Sequence, residues 1–360
     1  MGSLLQSYSL KKILESLGHD VHFIDIEQKE SDDLILVQEG KKNVFSAEAE
    51  SRGRLSKLKK IDRYTINRIR IKRQAQRQDV EFEKFRRQVL GIKDTDNDQC
   101  YDICVIGSDE VFNCLTNDQW GFTSQLFGNV RQAKKVITYA ASCGSTRIID
   151  VPTKVQDIIR NSFKRISAFS VRDENTKVFT EALTDKKIQL HFDPVMVGNF
   201  ETEISNCKKL ELPDHYCIIY SYYNRIHTKD EIQKIIKFCN NKGLTPVAIG
   251  APQMWIKNYP VLSPFETLLA FKNAEYVITD TFHGTIFAAK YAKAFATMVR
   301  KSNMNKLDDL LNRLNLNFHR ITDFSQLILD SERFKNNPKL IEDIITKELS
   351  ATISYLRENC

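Results

Sequence analysis

At 360 residues the chain exceeds an ordinary domain, so its length predicts two domains. Hydrophobic residues make up 42% and charged residues 28% of it, which is typical of globular proteins and excludes a wholly disordered chain. No apolar run approaches the roughly 20 residues that cross a bilayer, and residues 1–8 do not read as a secretory signal. The eight cysteines form no CxxC pair, which favours reduced thiols in a cytoplasmic protein over a zinc site.

The first half begins with apolar residues at helical spacing over residues 4–17, followed by a strand-like run, Val21–Ile26. An α/β chain should open with a strand, yet none precedes this helix. Gly2 and Ser3 resemble the tail of a β-to-α turn, so we expect the first strand of the N-terminal domain to be missing.

The net charge of +7 is concentrated in residues 52–87, which carry fourteen Lys or Arg against four Asp or Glu. Apolar residues recur there near helical spacing, which predicts a basic helical insertion at about 50–90 with a solvated outer face. The alternatives are a peripheral contact with an anionic membrane at the inner face and a clamp on an anionic substrate. Nucleic-acid binding is not predicted, because no reader motif accompanies the charge.

Three strands are predicted next, at 101–106, 136–142 and 168–173, with a helix at 155–166. Ser108 and Asp109 follow the first of these strands, either as a substrate-contacting loop or as turn residues. Arg172 ends the third strand, and its planar fork suits a carboxylate or a phosphate. The alternative for Arg172 is a salt bridge to Asp173 or Asp193.

A polar stretch at 201–214 predicts an interdomain linker, after which strands and helices alternate again. This pattern predicts an α/β fold with two doubly wound Rossmann-like domains facing a cleft, at 1–200 and 214–337, and a C-terminal helix within 338–360. The predicted elements of the second half are strands at 216–221, 245–249, 276–279 and 295–299, and helices at 229–241, 264–273, 308–314 and 338–356.

The central stretch of the second half is the strand at 276–279 and the turn that follows it. Asp280 and Thr281 are both good helix N-caps, so His283 and Gly284 should begin a helix at the carboxyl end of a strand. Ligands bind at that edge of open α/β sheets, and helix N-termini favour anions. His283 is therefore a candidate for proton transfer, with a turn-capping histidine as the alternative.

Several runs in this order resemble the polysaccharide pyruvyl transferase family over nearly the full length. The resemblance implies a two-domain, GT-B-like fold and an enzyme that moves pyruvyl from phosphoenolpyruvate onto two sugar hydroxyls as a ketal. It also implies that His283 matches the catalytic histidine and Arg172 a phosphoenolpyruvate-binding arginine. The runs are Gly2–Tyr8, Asp102–Asp109, Tyr139–Ser142, Ser170–Asp173, Asp193–Pro194 and Thr279–Thr285.

For that chemistry we expect His283 to be the general acid that protonates the methylene carbon of phosphoenolpyruvate. Gly284, Thr285, Arg172 and Lys301 would receive the leaving phosphate. No metal or cofactor is expected besides the donor. The implied acceptor is a sugar or a lipid-linked oligosaccharide of a cell-surface polysaccharide precursor, with Asp109 or Asp280 orienting it or acting as base.

The chain departs from the family at one position, because some pyruvyl transferases carry Arg-x-His where this sequence has Thr281-Phe282-His283. Arg300 or Lys301 could supply the missing charge. Two alternatives stay open: a GT-B-type glycosyltransferase that uses a nucleotide sugar, and a catalytically silent binding protein of the same fold.

Overall fold

The computed structural model describes residues 1–26, 61–115, 123–223, 225–329 and 332–360. Two compact units are present, one around a four-stranded sheet and one around a five-stranded sheet, and every strand pair is parallel. Two parallel sheets with intervening helices confirm the α/β class. The predicted domain boundaries at residues 200 and 214 stay a prediction, as does the GT-B-like arrangement.

The four-stranded unit draws on residues 17–64, 92–193 and 352–360, so far as these are described. Its strands follow each other in chain order across the sheet, β1-β2-β3-β4. Phe112, Phe127, Phe163 and Phe169 are buried side by side and form much of its core. The elements are β1 (Tyr101–Gly107), β2 (Ala133–Tyr139), α3 (Thr153–Phe163), β3 (Ile166–Val171), α4 (Glu174–Glu181) and β4 (Ile188–Leu190).

The five-stranded unit draws on residues 1–16, 65–91 and 194–351. Its helices are α1 (Gly2–Ser16), α2 (Ile61–Lys84, from residue 65), α5 (Pro194–Val197), α6 (Glu201–Ser205), α7 (Lys229–Asn241), α8 (Pro264–Asn273), α9 (Phe282–Tyr291), α10 (Met304–Arg313) and α11 (Gln326–Leu329). Its strands are β5 (Tyr216–Tyr220), β6 (Thr245–Ala248), β7 (Tyr276–Thr279), β8 (Phe295–Met298) and β9 (Arg320–Ile321). Helix α12 (Glu342–Asn359) ends the chain, and its residues from Thr352 belong to the four-stranded unit.

Local sequence explains most of these elements. Strands β5, β7 and β8 are buried along their whole length, as expected of central parallel strands that helices cover on both faces. Ser263 and Glu266 form a capping box that begins α8, and the Thr228 hydroxyl accepts from the Glu231 backbone N–H at the start of α7.

Two predicted segments differ from the structure. Val21–Ile26 is not a strand, because the Asp25 backbone is bonded to side chains: its N–H donates to Asn97 Oδ1 at 2.7 Å, and its carbonyl accepts from Gln125 at 3.1 Å. The predicted linker at 201–214 begins with helix α6, whose Ile204 is buried. The polar composition of the stretch gave no indication that Ile204 would be buried.

The predicted basic helix is present as α2 from Ile61, and residues 52–60 lie outside the described residues. Two glutamines attach this helix to a loop of the same unit. Gln74 donates to the Tyr259 carbonyl at 3.0 Å, and buried Gln78 both donates to the Leu262 carbonyl and accepts from its N–H. The inner face of α2 is therefore fixed by side-chain amides, whereas Lys72, Arg73 and Arg77 are exposed.

Candidate active site

The strand order β6-β5-β7-β8-β9 places a topological switch point between β5 and β7. From β5 the chain passes through α7 to β6 on one side, and from β7 it passes through α9 to β8 on the other. The carboxyl ends of two such strands leave a crevice between them, which is where open α/β sheets bind ligands. The loop after β7 leads into α9, whose first turn carries His283, so the structure places the histidine at the switch point.

His283 lies in the first turn of α9 and is partly buried. Thr281 caps this helix, because its hydroxyl accepts from the Gly284 N–H at 3.0 Å. Gly2 packs so closely against the imidazole that a side chain there would overlap Nδ1. The cap fixes the backbone of His283 and the glycine fixes its ring, which suits a group that must hold one geometry.

Gly284 and Thr285 support this turn from inside the fold. A side chain at Gly284 would overlap the Thr279 hydroxyl and come within 2.6 Å of the Tyr220 ring. The Thr285 hydroxyl donates to the Thr281 carbonyl at 2.9 Å, and the residue is fully buried. Of the two predicted helix caps, Thr281 has the role, and Asp280 is engaged elsewhere.

Asp280 is buried at the centre of a polar network. Its Oδ2 pairs with Arg300 Nε at 3.2 Å, and Arg300 Nη2 lies 2.7 Å from Glu231 Oε1. Asn303 Nδ2 donates to the Asp280 carbonyl at 2.8 Å, and the Arg225 guanidinium donates to the same oxygen at 3.3 Å. Burial raises the pKa of Asp280, although the neighbouring Ser221, Arg225 and Arg300 favour its charged form.

Lys301 is exposed and lines a pocket of about 340 Å³ at the carboxyl ends of β8 and β9. Arg300 and Phe324 also line it, so the pocket adjoins the Asp280 network. The full lining consists of Glu231, Met298, Val299, Arg300, Lys301, Met304, Arg320, Thr322, Asp323 and Phe324.

The four-stranded unit gathers the other predicted residues at the carboxyl edge of its own sheet. Arg172 is 2% exposed, and its Nη1 lies 3.2 Å from buried Asp193 and 4.0 Å from Asp109. Burial works against its charge, but Asp193 and Asp109 outweigh it and raise the pKa of Arg172 above its usual range. Of the two partners predicted for a salt bridge, Asp193 is the one found. Asp173 instead caps α4.

Ser108 and Asp109 meet this ion pair from β1. The Ser108 hydroxyl lies 3.3 Å from Asp193 Oδ2 and 3.2 Å from the Ala140 carbonyl, and it is buried. Asp109 has a φ of 63° and Ala140 a φ of 48°, conformations that cost energy in residues other than glycine. Strain of this kind at neighbouring strand ends is typical of functional sites.

The sequence was compared with models of known protein families. The sequence model described as polysaccharide pyruvyl transferase matches residues 1–302, most of the chain. The chain belongs to this family. A search of curated proteins finds no match. Within the described residues, no helix is both long and apolar enough to span a membrane.

The Arg-x-His pattern of some pyruvyl transferases can now be compared with this site. Thr281 is 5% exposed and its hydroxyl caps α9, so the residue that replaces the arginine has a structural task. Arg300 is engaged by Asp280 and Glu231, whereas Lys301 lines an open pocket. Of the two replacements that the sequence suggested, Lys301 is better placed to meet an anion.

Sequence reasoning missed the contact of Gly2 with His283 and the support that Glu231, Arg225 and Asn303 give to the Asp280 loop. The partners in this network lie 20 to 55 positions from Asp280 along the chain. Nothing in their local sequence signals the contact. Only the alternation of strands and helices, which brings strand ends to one edge, could have suggested that they meet.

Proposed function

We propose that the protein transfers pyruvyl from phosphoenolpyruvate onto two hydroxyls of a sugar in a cell-surface polysaccharide precursor. The observation that carries the proposal is the place of His283, at the switch point of a sheet in a chain that belongs to the pyruvyl transferase family. Gly2 and the Thr281 cap support it, because they hold the imidazole in one orientation.

In this reaction His283 gives a proton to the methylene carbon of phosphoenolpyruvate, which becomes a methyl group. The adjacent carbon turns cationic, and a sugar hydroxyl adds to it and loses its proton. The bond from that carbon to the phosphate oxygen then breaks, and a second hydroxyl closes the ketal. Of the two hydroxyl protons, one replaces the proton that His283 gave and the other leaves with phosphate.

Lys301 and Arg172 are the cations proposed for the donor. Lys301 has the accessible ammonium, and its pocket could receive the phosphate. Arg172 is buried with Asp193, so its contribution to donor binding requires that a donor carboxylate reach the Arg172–Asp109 edge. Ser108 and Asp109 are proposed to contact substrate at that edge, and Asp280 to hold the His283 loop rather than to act as base.

A nucleotide-sugar glycosyltransferase is the second candidate, because the Lys301 pocket also contains Phe324 and the carboxylates of Glu231 and Asp323. Isothermal titration without metal separates the two. Phosphoenolpyruvate should bind saturably, and Lys301→Ala should weaken it while Lys242→Ala, exposed at the far end of α7, should not. Binding of a nucleotide sugar alone would replace the proposal with the glycosyltransferase, and binding of neither would favour the catalytically silent protein.

We also propose that α2 contacts an anionic membrane, which would bring the protein to a lipid-linked oligosaccharide. Lys72, Arg73 and Arg77 are exposed along this helix, whose inner face is attached through Gln74 and Gln78. Charge reversal of the three cations should abolish co-sedimentation with phosphatidylglycerol vesicles at low salt. Reversal of exposed Lys208, Lys209 and Lys257 is the control, and equal losses in both variants would remove α2 from the contact.

A further inference from the structure

Two adjacent tyrosines follow β5 with more than half of each residue exposed. Tyr222 and Tyr223 are both 54% exposed, whereas Tyr220, two positions earlier, is 8% exposed and packs against Phe271 and Phe287. Large aromatic residues are buried on average, and those that remain exposed together frequently mark a binding surface. Tyr220 is therefore part of the hydrophobic core, whereas Tyr222 and Tyr223 lie on the surface.

The two tyrosines lie at the carboxyl end of β5, which flanks the switch point on one side. Strand β7 flanks it on the other side and leads to His283. Arg225 links the two sides. Its guanidinium lies 4.7 Å from the centre of the Tyr222 ring, and its Nη1 donates to the Asp280 carbonyl at 3.3 Å. The tyrosine loop is thereby fastened to the loop that leads into α9.

The backbone beneath the tyrosines is held in place by a buried amide. Gln253 is 1% exposed, and its Nε2 lies 3.2 Å from the Tyr222 carbonyl and 3.4 Å from the Ser221 carbonyl. A binding surface on a supported backbone loses less conformational entropy when a ligand arrives than one on a loose loop does.

We propose that Tyr222 and Tyr223 form the surface on which the acceptor sugar rests while His283 acts, a proposal that builds on the proposed function. The C–H face of a pyranose packs on an aromatic ring, and the phenol hydroxyls supply hydrogen bonds to sugar hydroxyls. This surface recognises a neutral saccharide, in contrast to the cationic pocket at Lys301, which suits an anion. The donor phosphate at Lys301 and the acceptor at the tyrosines would then meet different side chains of the five-stranded sheet.

The test measures binding of neutral hexoses and disaccharides to the whole 360-residue chain by saturation-transfer NMR, without phosphoenolpyruvate. At least one saccharide should bind, and Tyr222→Ala and Tyr223→Ala should weaken it about tenfold or more. Tyr222→Phe should retain most of the binding because it keeps the ring. Phe318→Ala is the matched control, since Phe318 is 39% exposed but precedes β9 at the opposite edge of the sheet.

In turnover, the tyrosine variants should raise KM for the saccharide while phosphoenolpyruvate affinity stays at its wild-type value. Saccharide binding that Tyr222→Ala and Tyr223→Ala leave unchanged, or that Phe318→Ala weakens equally, would overturn the surface but not the pyruvyl transfer. Absence of binding by every saccharide would also overturn it. If the two alanine variants lose saccharide binding but the wild type does not bind phosphoenolpyruvate, the tyrosine surface is supported and phosphoenolpyruvate is rejected as the donor.

Discussion

The carboxyl edges of the two sheets use their charged groups in different ways. At the four-stranded sheet, Arg172 is almost fully buried and its charge is balanced by Asp193, which is also buried. At the five-stranded sheet, the buried charge of Asp280 is balanced by Arg300, whose side chain is 26% exposed, and Lys301 lines an open pocket beside it. One sheet thus buries its arginine in an ion pair, whereas the other has an exposed lysine beside its ion pair, and this difference supports the proposed place of proton transfer at the five-stranded sheet.

The largest effect should come from breaking the closed pair. Arg172→Ala leaves the Asp193 carboxylate buried without its cation, and removal of one partner of a buried pair costs about 3–5 kcal/mol of unfolding free energy. Urea denaturation measures it, with Arg172→Ala/Asp193→Ala as the control that should recover part of the loss. If Arg172→Ala is as stable as the wild type and loses only donor affinity, the pair is not structural and the comparison fails.

A second effect concerns His319, a buried histidine of the five-stranded unit. His319 is stacked on Phe295 with ring centres 3.6 Å apart, and burial lowers its pKa to about 4. Above pH 6.5 its contribution to stability is fully present. As the pH falls from 6.5 towards 4, His319 becomes protonated in the unfolded chain but stays neutral in the folded protein. The free energy of unfolding should therefore fall by about 1.4 kcal/mol per pH unit, or roughly 3 kcal/mol over this range.

The check is urea denaturation of the wild type and His319→Asn at several pH values between 7 and 4.5. The wild type should lose more stability over this range than the variant does. Parallel pH profiles for the two proteins would show that His319 does not stay neutral in the fold.

The smallest effect concerns the cap that holds the His283 turn. Thr281→Ala removes the hydroxyl that accepts from the Gly284 N–H, and it should lower the unfolding free energy by about 1 kcal/mol. Thr281→Ser keeps the oxygen and should lie close to the wild type in thermal or urea melts. Equal stability of all three proteins would mean that Thr281 is not a cap and that its replacement of an arginine has another reason.

Much of the fold could be predicted from sequence, because the parallel strands are continuous apolar runs bounded by cap residues. The bounds of helix α7 were predicted to the residue, and the place of His283 followed from the cap residues Asp280 and Thr281 after β7. Val21–Ile26 has the apolar composition of a strand, but its backbone partners are the distant side chains of Asn97 and Gln125. No local pattern encodes such a partner.

The candidate site was predicted in part, because residue type suggests chemistry whereas burial decides access. Arg172 and Lys301 have the same charge in the sequence, yet the structure buries one against Asp193 and leaves the other exposed. Tyr222 and Tyr223 belong to the same aromatic run as Tyr220, and only the end of β5 separates the exposed pair from the buried ring. Where a strand ends therefore decides which members of a run can meet a ligand.

The most direct test of the central claim is the release of phosphate from phosphoenolpyruvate in a single turnover with a saccharide acceptor. His283→Ala should reduce the rate about 10²–10⁴-fold with donor affinity retained, because the variant lacks only the proton donor. His215→Ala, an exposed histidine that precedes β5 at the opposite edge of the sheet, should keep the wild-type rate. A His283→Ala protein that releases phosphate at the wild-type rate would contradict the account.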